Sequence, residues 1–209
     1  MHLHASNLSL DRGGRRIVEG LSFAVSAGEA LVVVGPNGSG KTTLIRALAG
    51  FLPIAVGTIG IEGGARELEI AEQCHFIGHR DGVSGSLSVA ENAAFFAGYL
   101  GQGPGARCAT ALERLGLAAL TDVPAAWLSA GQRRRLGLTR LLLAKRPLWL
   151  LDEPTISLDA AAVATLAGMI AEHLAGGGIV IATTHIPLGL DCARELRMGA
   201  DLKSGAAAA

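Results

Sequence analysis

The chain has 209 residues, half of them apolar, with 18 basic side chains against 18 acidic ones. That is enough for one large domain, or for a domain with an inserted lobe, around a sizeable core. A formal charge of zero gives no global attraction to nucleic acid or to an anionic membrane. No window offers the roughly 18 uninterrupted apolar residues of a membrane span, and the opening "MHLHASNLSLDRGGRR" has no apolar signal core. Cys74, Cys108 and Cys192 are far apart and unlike any metal-ligand spacing, so reduced thiols in a soluble, cytosolic protein are expected.

In chain order, "LHASNLSL" and "GLSFAV" alternate apolar and polar residues, which predicts an amphipathic antiparallel portion at the start. "LVVVG" (31–35), "LWLLDEP" (148–154) and "GGIVIATTH" (177–185) are short apolar runs bounded by Gly, Pro or Asp, the pattern of strands buried on both faces of a parallel sheet. Between about 84 and 146 the periodicity turns helical. Ser88 and Glu91 form a capping box in "SVAEN", "RCATALERLGL" ends at Gly116, and "SAGQRRRLGLTRLLLAK" starts on Ser129 as N-cap. A last helix, "DAAAVATLAGMIAEHLAGG", has Asp159 at its start and Gly176 past its end. The expected architecture is an α/β core (about 1–83 and 147–209) with an N-terminal antiparallel β portion and an inserted α-helical subdomain (about 84–146). The tail "SGAAAA" reads as low-complexity and frayed.

Lysine is scarce: Lys41, Lys145 and Lys203 are the only ones. Lys41 ends a glycine-rich turn, "GPNGSGKTT", in which Gly35, Gly38, Gly40, Lys41 and Thr42 satisfy G-x-x-x-x-G-K-[ST]. Such a loop turns successive N–H groups onto a β-phosphate, with a helix N-terminus behind it. Lys41 then reaches the β- and γ-oxygens, Thr42 ligates Mg²⁺, and Thr43 sits near the α-phosphate. Asp152 closes the strand "LWLLDEP" at its carboxyl end, where it is placed to hold Mg²⁺ through water, and Glu153 next to it is the candidate general base. "LSAGQ" (128–132) opens a helix with free N–H donors suited to a γ-phosphate. His185 closes "IVIATTH" where an imidazole can meet that phosphate. Arg133, Arg134 and Arg135 read as a solvated helix face, and His2, His4, His75 and His173 as structural.

These elements, in this order, resemble the ATP-binding cassette (ABC) ATPase family across essentially the whole chain: "GPNGSGKTT" the phosphate loop, "LSAGQ" the signature, "LWLLDEP" the acidic strand, "SLD" (157–159) the loop after it and "TTH" the switch histidine. The resemblance implies ATP and Mg²⁺ as ligands and a head-to-tail homodimer. One subunit's loop, with Gly35, Pro36, Asn37, Gly38, Ser39, Gly40, Lys41, Thr42 and Thr43, would share each ATP with the other's Ser129, Gly131 and Gln132. Where most cassettes carry Gln in the lobe-linking loop, "FIGHRDGV" has His79, a nitrogen donor that Mg²⁺ does not favour. The usual adenine-stacking aromatic is missing, and Arg12 stands near its position with a guanidinium plane suited to stacking. Ala130 replaces the second Gly of the signature.

"IGH" with "LSVAEN", "DVPAAWLSAGQRRRLGLTRLLL" and "GGIVIATTHIPL" is similar to the ATPases of the cytochrome c maturation haem-export system, the CcmA family. That resemblance implies ATP hydrolysis coupled to haem translocation, or to release of haem from its chaperone. It also implies an integral-membrane partner of CcmB type, with CcmC nearby, at the cytoplasmic face of the bacterial inner membrane. An ABC ATPase driving another exporter has the same motifs. A soluble cassette of DNA repair or translation would need coiled-coil insertions or tandem cassettes, and the chain shows neither.

Overall fold

The computed structural model of the chain describes residues 1–65, 67–103, 106–184 and 193–199. The expected N-terminal antiparallel portion is a three-stranded sheet in the order β2-β1-β4. β1 (His2–Arg12) and β2 (Arg15–Ser26) form a hairpin closed by Gly13 and Gly14, both at positive φ (58° and 75°), as a two-residue turn matching strand twist requires. β4 (Val56–Glu62) pairs along the other edge of β1, Leu3 opposite Ile61. Leu3 and Ala5 face the core, and after a register shift at Asn7 (φ 49°) Leu8 and Leu10 do, so an irregularity resets the inward parity of the strand.

The second sheet is parallel throughout, in the order β5-β6-β7-β3-β8. Its members are β3 (Ala30–Val34), β5 (Cys74–Ile77), β6 (Leu148–Asp152), β7 (Ile179–Thr183) and β8 (Arg194–Arg197). β6 and β7 are buried at every residue, which is why both read as unbroken apolar runs. β8 is largely exposed at the edge and carries "RELR". One face of this sheet shares a core with the antiparallel sheet and α1 (Lys41–Leu48) through Leu31, Val33, Leu44, Ile45 and Leu48. The other face packs Trp149, Leu151 and Val180 against Leu166, Met169 and Ile170 of α7 (Ala160–Ala175) and against the helices between β5 and β6.

After the short α2 (Ile70–Gln73), those helices are α3 (Val89–Tyr99), α4 (Ala106–Arg114), α5 (Ala130–Leu138) and α6 (Arg140–Leu143). Ser88 caps α3 in a reciprocal box with Glu91, Ser129 caps α5 in another with Gln132, and Asp159 caps α7 through Ala162 N–H. "SAGQRRRLGLTRLLLAK" is two helices rather than the one its pattern predicts. Thr139 donates to Leu136 O through both its Oγ1 (2.6 Å) and its N–H (3.2 Å), a tighter i−3 turn at which α5 ends. Among the described residues no helix is long and apolar enough to cross a membrane. His185, Cys192 and the C-terminal tail lie outside the described residues.

Candidate functional site

The carboxyl ends of β3 and β6 point to the same edge of the sheet, where open α/β folds bind ligands. A cavity of about 460 Å³ opens there, lined by Asn37, Gly38, Gly40, Lys41, Thr42, Thr43, Asp152, Glu153 and Thr183, with Arg12, Ile17, His79, Thr155 and Ile156 around them. Thus β3's loop and β6's acidic end, 110 residues apart in sequence, form one site.

The loop after β3 turns tightly onto its neighbours. A Cβ on Gly35 would overlap the carbonyl oxygen of Met198, and one on Gly40 (φ 98°) would lie 2.8 Å from Ile17 Cγ2, so both positions need glycine. Gly40 also serves as the N-cap of α1, leaving the first helical N–H groups facing the cavity without a side-chain cap. Lys41 Nζ donates to Gly35 O at 2.7 Å and Pro36 O at 3.0 Å, which holds the ammonium across the loop. Ser39 N–H donates to Pro36 O at 3.2 Å.

Asp152 is 1% exposed, and its Oδ1 accepts from Thr42 Oγ1 at 3.0 Å and from Thr183 Oγ1 at 2.8 Å. Its Oδ2 is buried with no hydrogen-bond partner among the described residues. A carboxyl oxygen left unbonded beside a threonine hydroxyl is a hard oxygen donor set, and it fits Mg²⁺. Glu153 follows in the left-handed region (φ 52°), its N–H held by Thr183 O and Thr183 Oγ1, both at 3.0 Å.

Of the sequence-predicted residues, Arg12, Asn37, Gly38, Gly40, Lys41, Thr42, Thr43, Asp152 and Glu153 line this cavity, and Gly35, Pro36 and Ser39 build the loop beneath it. Ser129, Gly131 and Gln132 do not line it: Ser129 caps α5 elsewhere on the surface, and a Cβ on Gly131 would lie 2.7 Å from Ser157 O, against the "SLD" loop. His185 is outside the described residues. Thr183, Thr155, Ile156 and Ile17 join the lining without having been singled out by sequence. Thr183 is the first of two threonines that close the apolar run of β7, and its position opposite Asp152 follows only from the β6–β7 register.

The three arginines are not a solvated face. Arg135 is half-buried and donates to Leu115 O at 2.9 Å, and Arg134 is 4% exposed. The structural reading of His75 holds: it is buried, with Nε2 2.8 Å from Ala144 O, and desolvation pushes its pKa down to about 4. His173 stacks on Trp149 at 4.0 Å. Burial raises the Cys74 thiol to about 11, so it is an inert core residue.

Residues 18–156 match the ABC transporter family. The chain is 50% identical over 200 residues to the cytochrome c biogenesis ATP-binding export protein CcmA of Rhodopseudomonas palustris (strain BisB5), covering 96% of this chain and 99% of that protein. It is 52% identical over 199 residues to the CcmA protein of Bradyrhizobium diazoefficiens, covering 95% and 98%. Two solved structures share its fold. An ATP-binding subunit of an ABC transporter superposes with a TM-score of 0.83 at 23% identity, covering 95% of this chain and 86% of that one. The ADP conformation of MJ1267, an ATP-binding cassette of an ABC transporter, gives 0.76 at 24% identity, covering 95% and 87%.

Proposed function

Because the chain belongs to the ABC transporter family and, within it, to the CcmA proteins of cytochrome c biogenesis, we propose that it is the ATP-hydrolysing subunit of a haem-handling exporter. The observation that carries the chemistry is the meeting of Lys41, Thr42, Asp152 and Glu153 at one cavity.

In this reading the loop amides and the α1 N-terminus bind the β-phosphate, and Lys41 turns from its own loop carbonyls to the β- and γ-oxygens. Thr42 and Asp152 hold Mg²⁺, which when bound neutralises charge shared by those phosphates. Glu153 orients a water in line with the γ-phosphorus and takes its proton. The new P–O bond forms as the bond to the β–γ bridging oxygen breaks, and ADP leaves with that oxygen. His185, following β7, is assigned to the γ-phosphate, and Arg12 to the adenine face.

The signature tip Ser129–Gly131 with Gln132 lies off this cavity, which supports a head-to-tail homodimer in which each tip completes the other copy's site. α3–α6, about residues 84–146, form the lobe that carries it. A membrane subunit of CcmB type, with CcmC nearby, would hold the dimer at the cytoplasmic face of the inner membrane and transmit closure on ATP to haem export or to release of haem from its chaperone.

Lys41→Ala tests the whole reading. Nucleotide binding and the yield of covalently haem-bearing cytochromes should be lost together in a strain carrying it. Normal cytochrome assembly in that strain would remove ATP from the mechanism.

A further inference from the structure

Arg134 sits on α5, five residues past its Ser129 cap, and its guanidinium meets four acceptors. Nε donates to Pro154 O at 3.1 Å, Nη2 to Glu153 O at 2.8 Å, and Nη1 to both Gly78 O at 2.7 Å and Asp81 Oδ1 at 2.9 Å. One side chain from the signature helix therefore grips two separate segments. The first is the loop 78–81, held on both sides of His79; the second is the turn that carries Glu153.

Three of those acceptors are backbone carbonyls. An ion pair serving only to neutralise Asp81 would not need them, and a lysine could not span them, since its donors all sit on one nitrogen whereas the planar guanidinium fork spreads its donors over three. What they fix is specific. Glu153 lies at φ 52°, a conformation that is costly for a non-glycine residue and persists only where the surroundings over-determine it. Its N–H is held by Thr183 and its carbonyl by Arg134, so both peptides flanking the carboxylate-bearing Cα are clamped. His79 is exposed and faces the main cavity, and a smaller one of about 160 Å³ lies between it and Asp81, Arg134, Ile156 and Ser157.

We propose that Arg134 is a positioning residue for hydrolysis: it sets the Glu153 backbone and the His79 loop in one register dictated by α5. A shift of the signature helix then reaches the carboxylate and the imidazole together. This rests on the reading of Glu153 as the general base. Gly137, one turn along α5, allows the close approach: a Cβ there would lie 3.0 Å from Asp81 Cβ and 3.1 Å from Asp81 O.

The test uses the purified chain with Mg-ATP, measuring phosphate release, binding of a fluorescent ATP analogue and thermal melting. Arg134→Lys keeps the charge beside Asp81 and loses the fork. It should lower kcat at least about tenfold, the scale of a sub-ångström misplacement, with KM and nucleotide affinity within about threefold of wild type. In a Glu153→Gln background the same change should add nothing further, because the two act as a unit. Gly137→Ala favours the helix and presses on the 78–81 loop, so it should lower kcat with melting and binding unchanged. Wild-type kcat in Arg134→Lys, or a loss that adds in full to that of Glu153→Gln, overturns the proposal. Should Arg134→Lys fail to fold, wild-type kcat in Gly137→Ala overturns it. Full turnover in Glu153→Gln alone would refute the base assignment and the proposal with it, whereas a slow Glu153→Gln beside a normal Arg134→Lys refutes the clamp alone.

Discussion

Thr183 Oγ1 donates to Asp152 Oδ1 at 2.8 Å across the β6–β7 ladder, and the same threonine receives the Glu153 N–H. One buried hydroxyl thus orients the carboxylate assigned to Mg²⁺ and the residue assigned to the attacking water. Thr183→Val keeps the shape and β-propensity of the strand while removing that donor and acceptor. Outer-shell partners of metal ligands usually matter by about 10–100-fold in metal affinity or activity. The expected result is a rise of at least about tenfold in the Mg²⁺ concentration needed for half-maximal turnover, with metal-free nucleotide binding unchanged. A wild-type Mg²⁺ dependence would place the hydroxyl outside the metal's support.

Glu153→Gln retains the volume and the left-handed backbone but cannot accept a proton. Turnover should fall by about 10²-fold or more, the usual scale for losing a general base, while ATP affinity stays near wild type. Binding measured beside single-turnover hydrolysis separates the two. A loss of both in parallel would mean that the carboxylate holds nucleotide rather than activating water.

How much of this was readable beforehand follows from how local each feature is. The phosphate loop, the acidic end of β6 and the caps at Ser88, Ser129 and Asp159 are set by a few adjacent residues, and all appear where the sequence puts them. β6 and β7 declare themselves because central parallel strands are apolar on both faces. β8 does not, because an edge strand written "RELR" has the composition of a loop. The split between α5 and α6 was hidden under a continuous apolar pattern, and it falls at Thr139, whose N–H and hydroxyl both bond back to Leu136 O. The burial of Arg134 is hidden from the sequence for a deeper reason. Three consecutive arginines look solvated, and what buries the middle one is a set of carbonyls from segments 78–81 and 153–154, which sequence spacing does not bring together.

The separation of Ser129 from the Lys41 loop gives a test of the proposed homodimer that needs no structure of it. Lys41→Ala removes the phosphate lysine, and Ser129→Arg blocks the signature tip, so each variant alone should lose nearly all turnover. A mixed dimer of the two contains one doubly defective site and one intact site, made from the Ser129→Arg copy's loop and the Lys41→Ala copy's tip. Mixing them should therefore restore a substantial part of wild-type turnover, rising to a maximum near equal proportions. Absence of any recovery, with mixed dimers demonstrated by differently tagged copies, would place both elements in the same subunit's site.

His75 supplies a prediction about pH and stability rather than catalysis. It is 3% exposed on β5, its Nε2–H donates to Ala144 O at 2.8 Å, and desolvation, reinforced by Arg146, Arg140 and His173, lowers its pKa to about 4. In the unfolded chain the same imidazole titrates near its ordinary value of about 6.5. Between those values the unfolded chain holds a proton that the folded chain does not, so stability rises with pH across the window. The contribution is complete above about pH 6.5 and declines as pH falls toward 4, by up to about 3 kcal/mol at the acid end. His173, whose pKa is also lowered by burial, acts in the same direction. His75→Gln can keep a donor to the Ala144 carbonyl but cannot take up the proton. Its melting temperature should fall less steeply than wild type between pH 6.5 and 4.5, as measured by calorimetry in matched buffers. A slope equal to wild type, or a wild-type protein that gains stability on acidification through this range, would assign the acid sensitivity to other groups.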